Sequence, residues 1–197
     1  MSGDVPSGHS TRGGAPYLTV IVPVLDGGES FERCLEALER STFHDWELVV
    51  VDDGSTDRSA EIAGSRGARL TSTKGRAGPG AARNIGVYLA RGECVLFLDS
   101  DCAVHPDTLE RVVSLLRADE HVDALFGSYD DEPAARGIVS RYRNLLHHWV
   151  HQRGEAEAST FWAGCGAVRR RVFESIGGFD ADRYPRPSIE DIDLGVR

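Results

Sequence analysis

Three apolar runs of strand length set the frame of this 197-residue chain. YLTVIVPVL (17–25), WELVVVDDG (46–54) and ECVLFLDSD (93–101) are apolar, the first rich in β-branched residues, and show no polar alternation. A strand that alternates buries one face, whereas an unbroken run buries both, as in a parallel sheet. Helical patterns separate the runs. FERCLEALERS carries Phe31, Cys34, Leu35 and Leu38 at helical spacing, with Ser30 as its expected N-cap. STDRSAEIAGSRG is expected to start on Ser55 or Thr56. A glycine-rich loop leads into GAARNIGVYLARG, where Ala81, Ile85, Tyr88 and Leu89 form the expected apolar stripe, and DTLERVVSLLRAD opens on Asp107. Shorter strands are expected at ARLTST (68–73) and VDALFGSYD (122–130). Strands alternating with helices predict a single α/β domain with a Rossmann-like, mostly parallel sheet flanked by helices. Such sheets bind ligands beyond the carboxyl ends of their strands.

Two of the long runs end there in acids. Asp52 and Asp53 close one, and Asp99 and Asp101 flank Ser100 at the end of the other. On an extended backbone, residues two apart point the same way, so Asp99 and Asp101 share a side. Unpaired carboxylates at the end of a buried strand are costly. A hard cation such as Mg²⁺ or Mn²⁺ offsets that cost and takes phosphate oxygens as its remaining ligands. Glu190 and Asp191 in SIEDIDLGVR form a third acid pair, which suits either a helix first turn or a general base.

The composition limits the partners. Lys and Arg number 22 against 31 Asp and Glu, giving a net charge of −9, and such a chain is not a general nucleic-acid binder. It also repels a diphosphate unless a cation stands between them: two unit charges about 4 Å apart near a protein surface interact by roughly 4 kcal/mol. The four cysteines, Cys34, Cys94, Cys102 and Cys165, show no CxxC spacing, and free thiols in a reducing, cytoplasmic setting are expected. Residues 1–16 read as a disordered leader, with no signal-peptide core, and no apolar run reaches membrane-spanning length. The sequence stops at Arg197 just inside a helical pattern, as a fragment of a longer protein would.

Taken in order, these segments resemble the family 2 glycosyltransferases of the GT-A fold. TVIVPVLDGG looks like that family's first strand, ELVVVDDGSTD its nucleotide-binding turn, and GPGAARNIGVYLARGECVLFLDSD its helix, strand and D-x-D metal site. TFWAGCGAVRRRVFESIGGFD and SIEDIDLGVR look like its acceptor-side loop and its base-bearing segment, so the resemblance spans residues 17–197. It implies inverting transfer of a sugar from a nucleoside-diphosphate sugar to an acceptor hydroxyl on a glycan or lipid-linked molecule. The Pro23–Val24 backbone and Asp53 would hold the base, and Arg83 would lie near the nucleotide. Asp101 would ligate the Mg²⁺ or Mn²⁺, with Asp99 on the ribose, a metal-bound water or the metal. Asp191 would be the base, with Glu190 the second choice, and Trp162 and the turn Gly164, Cys165 and Gly166 would line the acceptor pocket. A nucleotidyltransferase on a similar sheet, and a non-catalytic or truncated nucleotide-sugar-binding module, are the rival readings. The first wants a basic glycine-rich loop after the opening strand, where VPVLDGGES is acidic.

One segment stands outside this pattern. Residues 136–153 hold four Arg and three His and no acid, with Ile138, Tyr142, Leu145, Leu146 and Trp149 at helical spacing. His147 and His151 have the i,i+4 spacing of a zinc pair but lack the glutamate of an H-E-x-x-H motif. The segment suits a core helix with a solvated polar face, or a helix on the cytoplasmic face of a membrane that presents a membrane-bound acceptor.

Overall fold

The computed structural model describes residues 14–131, 137–153 and 160–197. Its strands are β1 (Leu18–Val24), β2 (Trp46–Asp52), β3 (Arg69–Ser72), β4 (Cys94–Leu98), β5 (Ala124–Phe126) and β6 (Cys165–Arg169). Its helices are α1 (Gly28–Glu39), α2 (Ser59–Ser65), α3 (Pro79–Leu89), α4 (Thr108–Ala118), α5 (Ile138–Arg153), α6 (Arg170–Ser175) and α7 (Glu190–Val196). One sheet runs in the order β3-β2-β1-β4-β6-β5, with β1 parallel to both neighbours and β6 antiparallel to β4 and β5. Every residue of β1 and β4 is buried, as an unbroken apolar run requires when helices cover both faces.

The sequence pattern missed β6, which lies inside the segment read as an acceptor-side loop. Its register sets the site: Leu98 pairs with Cys165 and Phe97 with Gly166. The next backbone link carries the pairing past the strand end, where Asp99 N donates to Gly164 O at 3.0 Å. The acceptor-side turn and the D-x-D segment are therefore neighbours through the sheet itself. Below them Phe97 packs on Phe161, Phe173 and Phe179, at ring separations of 6.2, 5.3 and 5.3 Å.

Three helix details differ from expectation. Ser30 does not cap α1, which begins at Gly28 after Gly27; its hydroxyl instead accepts from Arg33 Nη2 at 2.9 Å. Ser55 and Thr56 do not cap α2, which begins at Ser59. They staple two strand-end turns together: Asp26 N donates to Ser55 Oγ at 3.0 Å, and Thr56 N donates to Asp26 Oδ1 at 2.6 Å. Capping-type residues serve any orphan backbone donor nearby, and here the donors belong to the β1–α1 turn. On α3 the buried face is Gly80, Ala82, Arg83, Gly86 and Val87, while Tyr88 is exposed. The helix lies so close to β1 that a Cβ on Gly86 would run into Ile21 Cγ2. Close approach selects small residues, so the expected stripe is met only in part: Ile85 and Leu89 pack against the core, but Tyr88 does not.

The expected leader, as far as residue 13, lies outside the described residues, as does Arg136. Helix α5 is present, but it is not a core helix. Its large apolar side chains are exposed, and its imidazoles turn toward the sheet.

Candidate active site

The carboxyl ends of the parallel strands β1, β2 and β4 lie along one edge of the sheet, which we call the mouth, and Arg83 links that edge to the start of α7. Pro23 and Val24 are buried in the last turn of β1, and Val24 O accepts from Asp53 N at 2.8 Å. The Asp53 carboxylate is turned to the glycine-rich loop. Oδ1 accepts from Thr73 Oγ1 and Ala77 N, both at 2.8 Å, and Oδ2 accepts from Gly78 N at 2.9 Å. A carboxylate offers about four acceptor sites, so one remains.

Arg83 sits deeper than expected. Only 5% exposed, it reaches two of the three acid clusters: Nη2 lies 2.7 Å from Asp99 Oδ1 and Nη1 lies 3.2 Å from Glu190 Oε1. Its guanidinium rests over the Phe179 ring at 5.5 Å, and Nε has no hydrogen-bond partner among the described residues. Glu190 is equally buried and its other oxygen accepts from Ser188 N at 2.8 Å. One cation and one amide thus occupy the Glu190 carboxylate.

Asp101 and Asp191 are the accessible members. Asp101 is exposed, and Asp191 is half-buried with Oδ1 accepting from Ile192 N at 2.9 Å. Asp99 feels both. Burial raises its proton affinity above the usual carboxylate range, Arg83 works against that, and the charges of Asp101 and Asp191 add to the rise. Two of the three acid clusters of the sequence, Asp99 with Asp101 and Glu190 with Asp191, thus meet in one electrostatic neighbourhood.

The acceptor-side turn lies against this mouth. A Cβ on Gly164 would sit 2.9 Å from Trp162 Nε1 and 3.3 Å from Asp99 Oδ2, so the indole and the carboxylate flank one glycine. Trp162 is half-buried and joins an aromatic wall that the sequence did not announce. The rings of His147, His151 and Tyr129 lie 5.2, 5.3 and 6.5 Å from it. Burial pushes the Tyr129 hydroxyl up to about 12, followed by the charges of Cys102, Asp99 and Asp101, with a Trp162 hydrogen bond opposing. Burial, then His147 and His148, holds the His151 imidazole below its usual range. Only the i,i+4 histidines carried a sequence signal here; Tyr129 sits in a segment whose pattern pointed to a strand.

All four cysteines are free thiols. Burial pushes Cys34 up to about 12 and Cys165 to about 11, and the aspartates of the site push the same way, which leaves them unreactive at neutral pH. Among the described residues, no three His, Cys, Asp or Glu side chains form a group that could hold a metal ion. Asp99 and Asp101 therefore suit a cation that takes one or two carboxylates and completes its shell with phosphate and water. They do not make an all-protein cage.

The profile of glycosyl transferase family 2 matches residues 19–177. The chain belongs to that family. It is 37% identical over 196 residues to the PGL/p-HBAD biosynthesis glycosyltransferase of Mycobacterium bovis (strain BCG / Pasteur 1173P2), covering 93% of this chain and 70% of that protein. It is 30% identical over 176 residues to glycosyltransferase AglE of Haloferax volcanii, covering 83% of this chain and 56% of AglE. The fold is GT-A: a mannosyltransferase from Pyrobaculum calidifontis, solved with GDP-Man and Mn²⁺, superposes with a TM-score of 0.70 at 25% identity over 91% of this chain and 51% of that one. The chain spans about half the length of AglE and of the archaeal mannosyltransferase. No helix among the described residues is long and apolar enough to cross a membrane.

Proposed function

We propose that this chain carries the catalytic site of a metal-dependent, inverting glycosyltransferase. It would move a hexose from a nucleoside-diphosphate sugar to a hydroxyl of a glycan or lipid-linked acceptor, as in the building of a cell-envelope polysaccharide. The observation that carries this reading is the convergence of Asp99, Asp101 and Asp191 beside Trp162. Support comes from the relatives: the mannosyltransferase of the same fold was solved with GDP-Man and Mn²⁺.

The chain's residues divide the work. The Pro23–Val24 backbone and the remaining acceptor site of Asp53 take the nucleobase. Asp101, with Asp99, would hold the divalent cation, Mg²⁺ or Mn²⁺, which supplies Lewis-acid stabilisation of the departing nucleoside diphosphate. Arg83, from its buried seat beside the nucleotide site, holds Asp99 in place. Asp191 takes the acceptor hydroxyl's proton as that oxygen bonds to the anomeric carbon, and the bond from that carbon to the phosphate oxygen breaks on the opposite face. Inversion follows from a single in-line displacement. Trp162, with Gly164, Cys165 and Gly166 beneath it, offers the acceptor sugar a flat apolar face, and the exclusion of water there strengthens each charge contact.

The test is calorimetric titration of UDP and GDP with and without Mn²⁺, followed by donor hydrolysis and transfer assays. Metal-dependent binding with turnover supports the proposal. Metal-dependent binding without turnover favours a nucleotide-sugar-binding module, and metal-independent binding removes the role given to Asp101.

A further inference from the structure

Helix α5 is turned inside out for a helix on a globular domain. Asn144, His147, His148 and His151 occupy one face, and that face meets the protein. Asn144 Nδ2 donates to Asp130 O at 2.7 Å, His148 Nδ1 lies 2.6 Å from Tyr129 O, and the rings of His147 and His151 lie against Trp162. The opposite face carries Ile138, Val139, Tyr142, Leu145, Leu146 and Trp149, all exposed, with Ile138 at 88%. A contiguous apolar stripe of this kind on a domain surface marks something that covers it.

Charge says what the cover is. Residues 137–153 contain no acid in a chain of net charge −9, and Arg141 and Arg153 are both exposed. Arg153 stacks over the Trp149 ring at 4.7 Å, which sets a cation at the rim of the apolar stripe. Tyr142 and Trp149 are the residue types that settle at a lipid–water boundary. Two copies of this chain would bring like charges together on such a face, whereas an anionic bilayer takes up the apolar stripe and the arginines at once.

We propose that the outer face of α5 docks on an anionic membrane surface. The helix lies flat, Ile138, Tyr142, Leu145 and Trp149 enter the headgroup boundary, and Arg141 and Arg153 meet lipid phosphates. Because the inner face of the same helix touches Trp162, docking sets the acceptor side of the site about one helix diameter, roughly 10 Å, from the lipid. The docking itself does not depend on the glycosyl-transfer reading, and its test reads membrane binding, not activity.

The full chain is sedimented with vesicles of phosphatidylcholine alone or mixed with phosphatidylglycerol. Binding should be stronger on the anionic vesicles by roughly 25-fold, about five-fold per arginine. It should fall as salt shortens the Debye length from about 10 Å at 0.1 M to about 3 Å at 1 M. Arg141→Gln with Arg153→Gln should remove the anionic preference, and Tyr142→Ser with Trp149→Ser should abolish binding to both vesicles. All four side chains are exposed, so circular dichroism and thermal unfolding should match the parent. Equal binding to both vesicles, or none at low salt, overturns the proposal. So does a dimer in sedimentation equilibrium that the Tyr142 and Trp149 substitutions dissociate, which would assign the face to a second copy.

Discussion

Arg83 and Glu190, 107 residues apart in sequence, form an ion pair buried at both ends, with Nη1 3.2 Å from Oε1. The same guanidinium holds Asp99 at 2.7 Å, so one side chain of α3 ties the end of β4 to the start of α7. This separates the two acids of the ED segment. Glu190 is buried and paired with Arg83, whereas Asp191, one residue on, is half-buried and takes no cation in this way. A helix offers adjacent residues faces about 100° apart, which is enough to give one acid a structural partner and leave the other for the role proposed for it.

Removing the cation should therefore be felt first as lost stability. Arg83→Met leaves Glu190 buried with the Ser188 amide but no cation, and breaking such a pair costs about 3–5 kcal/mol. Urea denaturation at neutral pH measures it. Arg83→Lys should recover part of the loss, because a single ammonium cannot satisfy two carboxylates held apart by a planar fork. A methionine variant within about 1 kcal/mol of the parent, the range of an ordinary surface change, would deny the pair any structural weight.

The two acids of α7 should then separate in kinetics. Asp191→Asn should lower turnover by about 10²–10⁴ while donor affinity, read by calorimetry, stays nearly constant. Glu190→Gln should act mainly on stability and leave most of the turnover. If the glutamine variant is the dead one and the asparagine variant turns over normally, the base has been assigned to the wrong neighbour.

Which parts of this were readable in advance follows from range. The strands β1, β2 and β4 declare themselves because burial on both faces writes a continuous apolar run. The acids that close β2 and β4 mark the edge where the site lies. β6 does not: GCGAVR is short, glycine-bearing and held by pairing with Leu98 and Phe97, far away in sequence. Arg83 was expected near the nucleotide, but its burial was not legible, because a sequence shows its charge and not the two carboxylates that permit that burial. Asp53 was correctly found at a strand end, yet its three hydrogen bonds to residues 73–78 depend on a loop fold that no local pattern encodes. α5 was legible as a helix, but which face turned inward was decided by Trp162 and Tyr129.

Asp99 gives the site a pH signature. Its folded-state pKa is raised from the ordinary 3.8, by burial first and by Asp101 and Asp191 after the opposing Arg83. Between the ordinary and the raised value the folded chain holds more protons than the unfolded one, so stability falls as pH rises through that window and stays lowered above it. Asp99→Asn lacks this loss. In chelator, its unfolding midpoint should gain on the parent's as pH climbs from about 3 toward neutrality, and the gain should shrink when Mn²⁺ and nucleoside diphosphate are added. A variant that loses ground with rising pH would mean that the Arg83 attraction outweighs burial.

The position of the proposed base rests finally on a residue with no side chain. α7 is short and would be marginal alone; it is held by Leu194 in the core and by Arg197, whose Nη1 and Nη2 donate to Ile176 O and Gly178 O at 2.7 and 2.6 Å. Between those anchors, Gly195 lies against the backbone of the segment before Trp162: an added Cβ would run into Phe161 N and sit 2.5 Å from Thr160 C. Backbone cannot yield as a flexible side chain does, so Gly195→Ala must push α7 away from the Phe161–Trp162 segment and take Asp191 with it. Overpacking of this kind costs about 1–3 kcal/mol. A displacement of about 1 Å in a catalytic group costs on the order of 10²-fold in rate. Donor binding, proposed on Pro23, Val24, Asp53, Asp99 and Asp101, none of them on α7, should be nearly untouched. The expected result is a folded variant with parental nucleotide affinity and turnover reduced on the order of 100-fold. Parental turnover in Gly195→Ala would show that α7 can shift without carrying the base out of reach, and Asp191 would then lose the positional argument made for it.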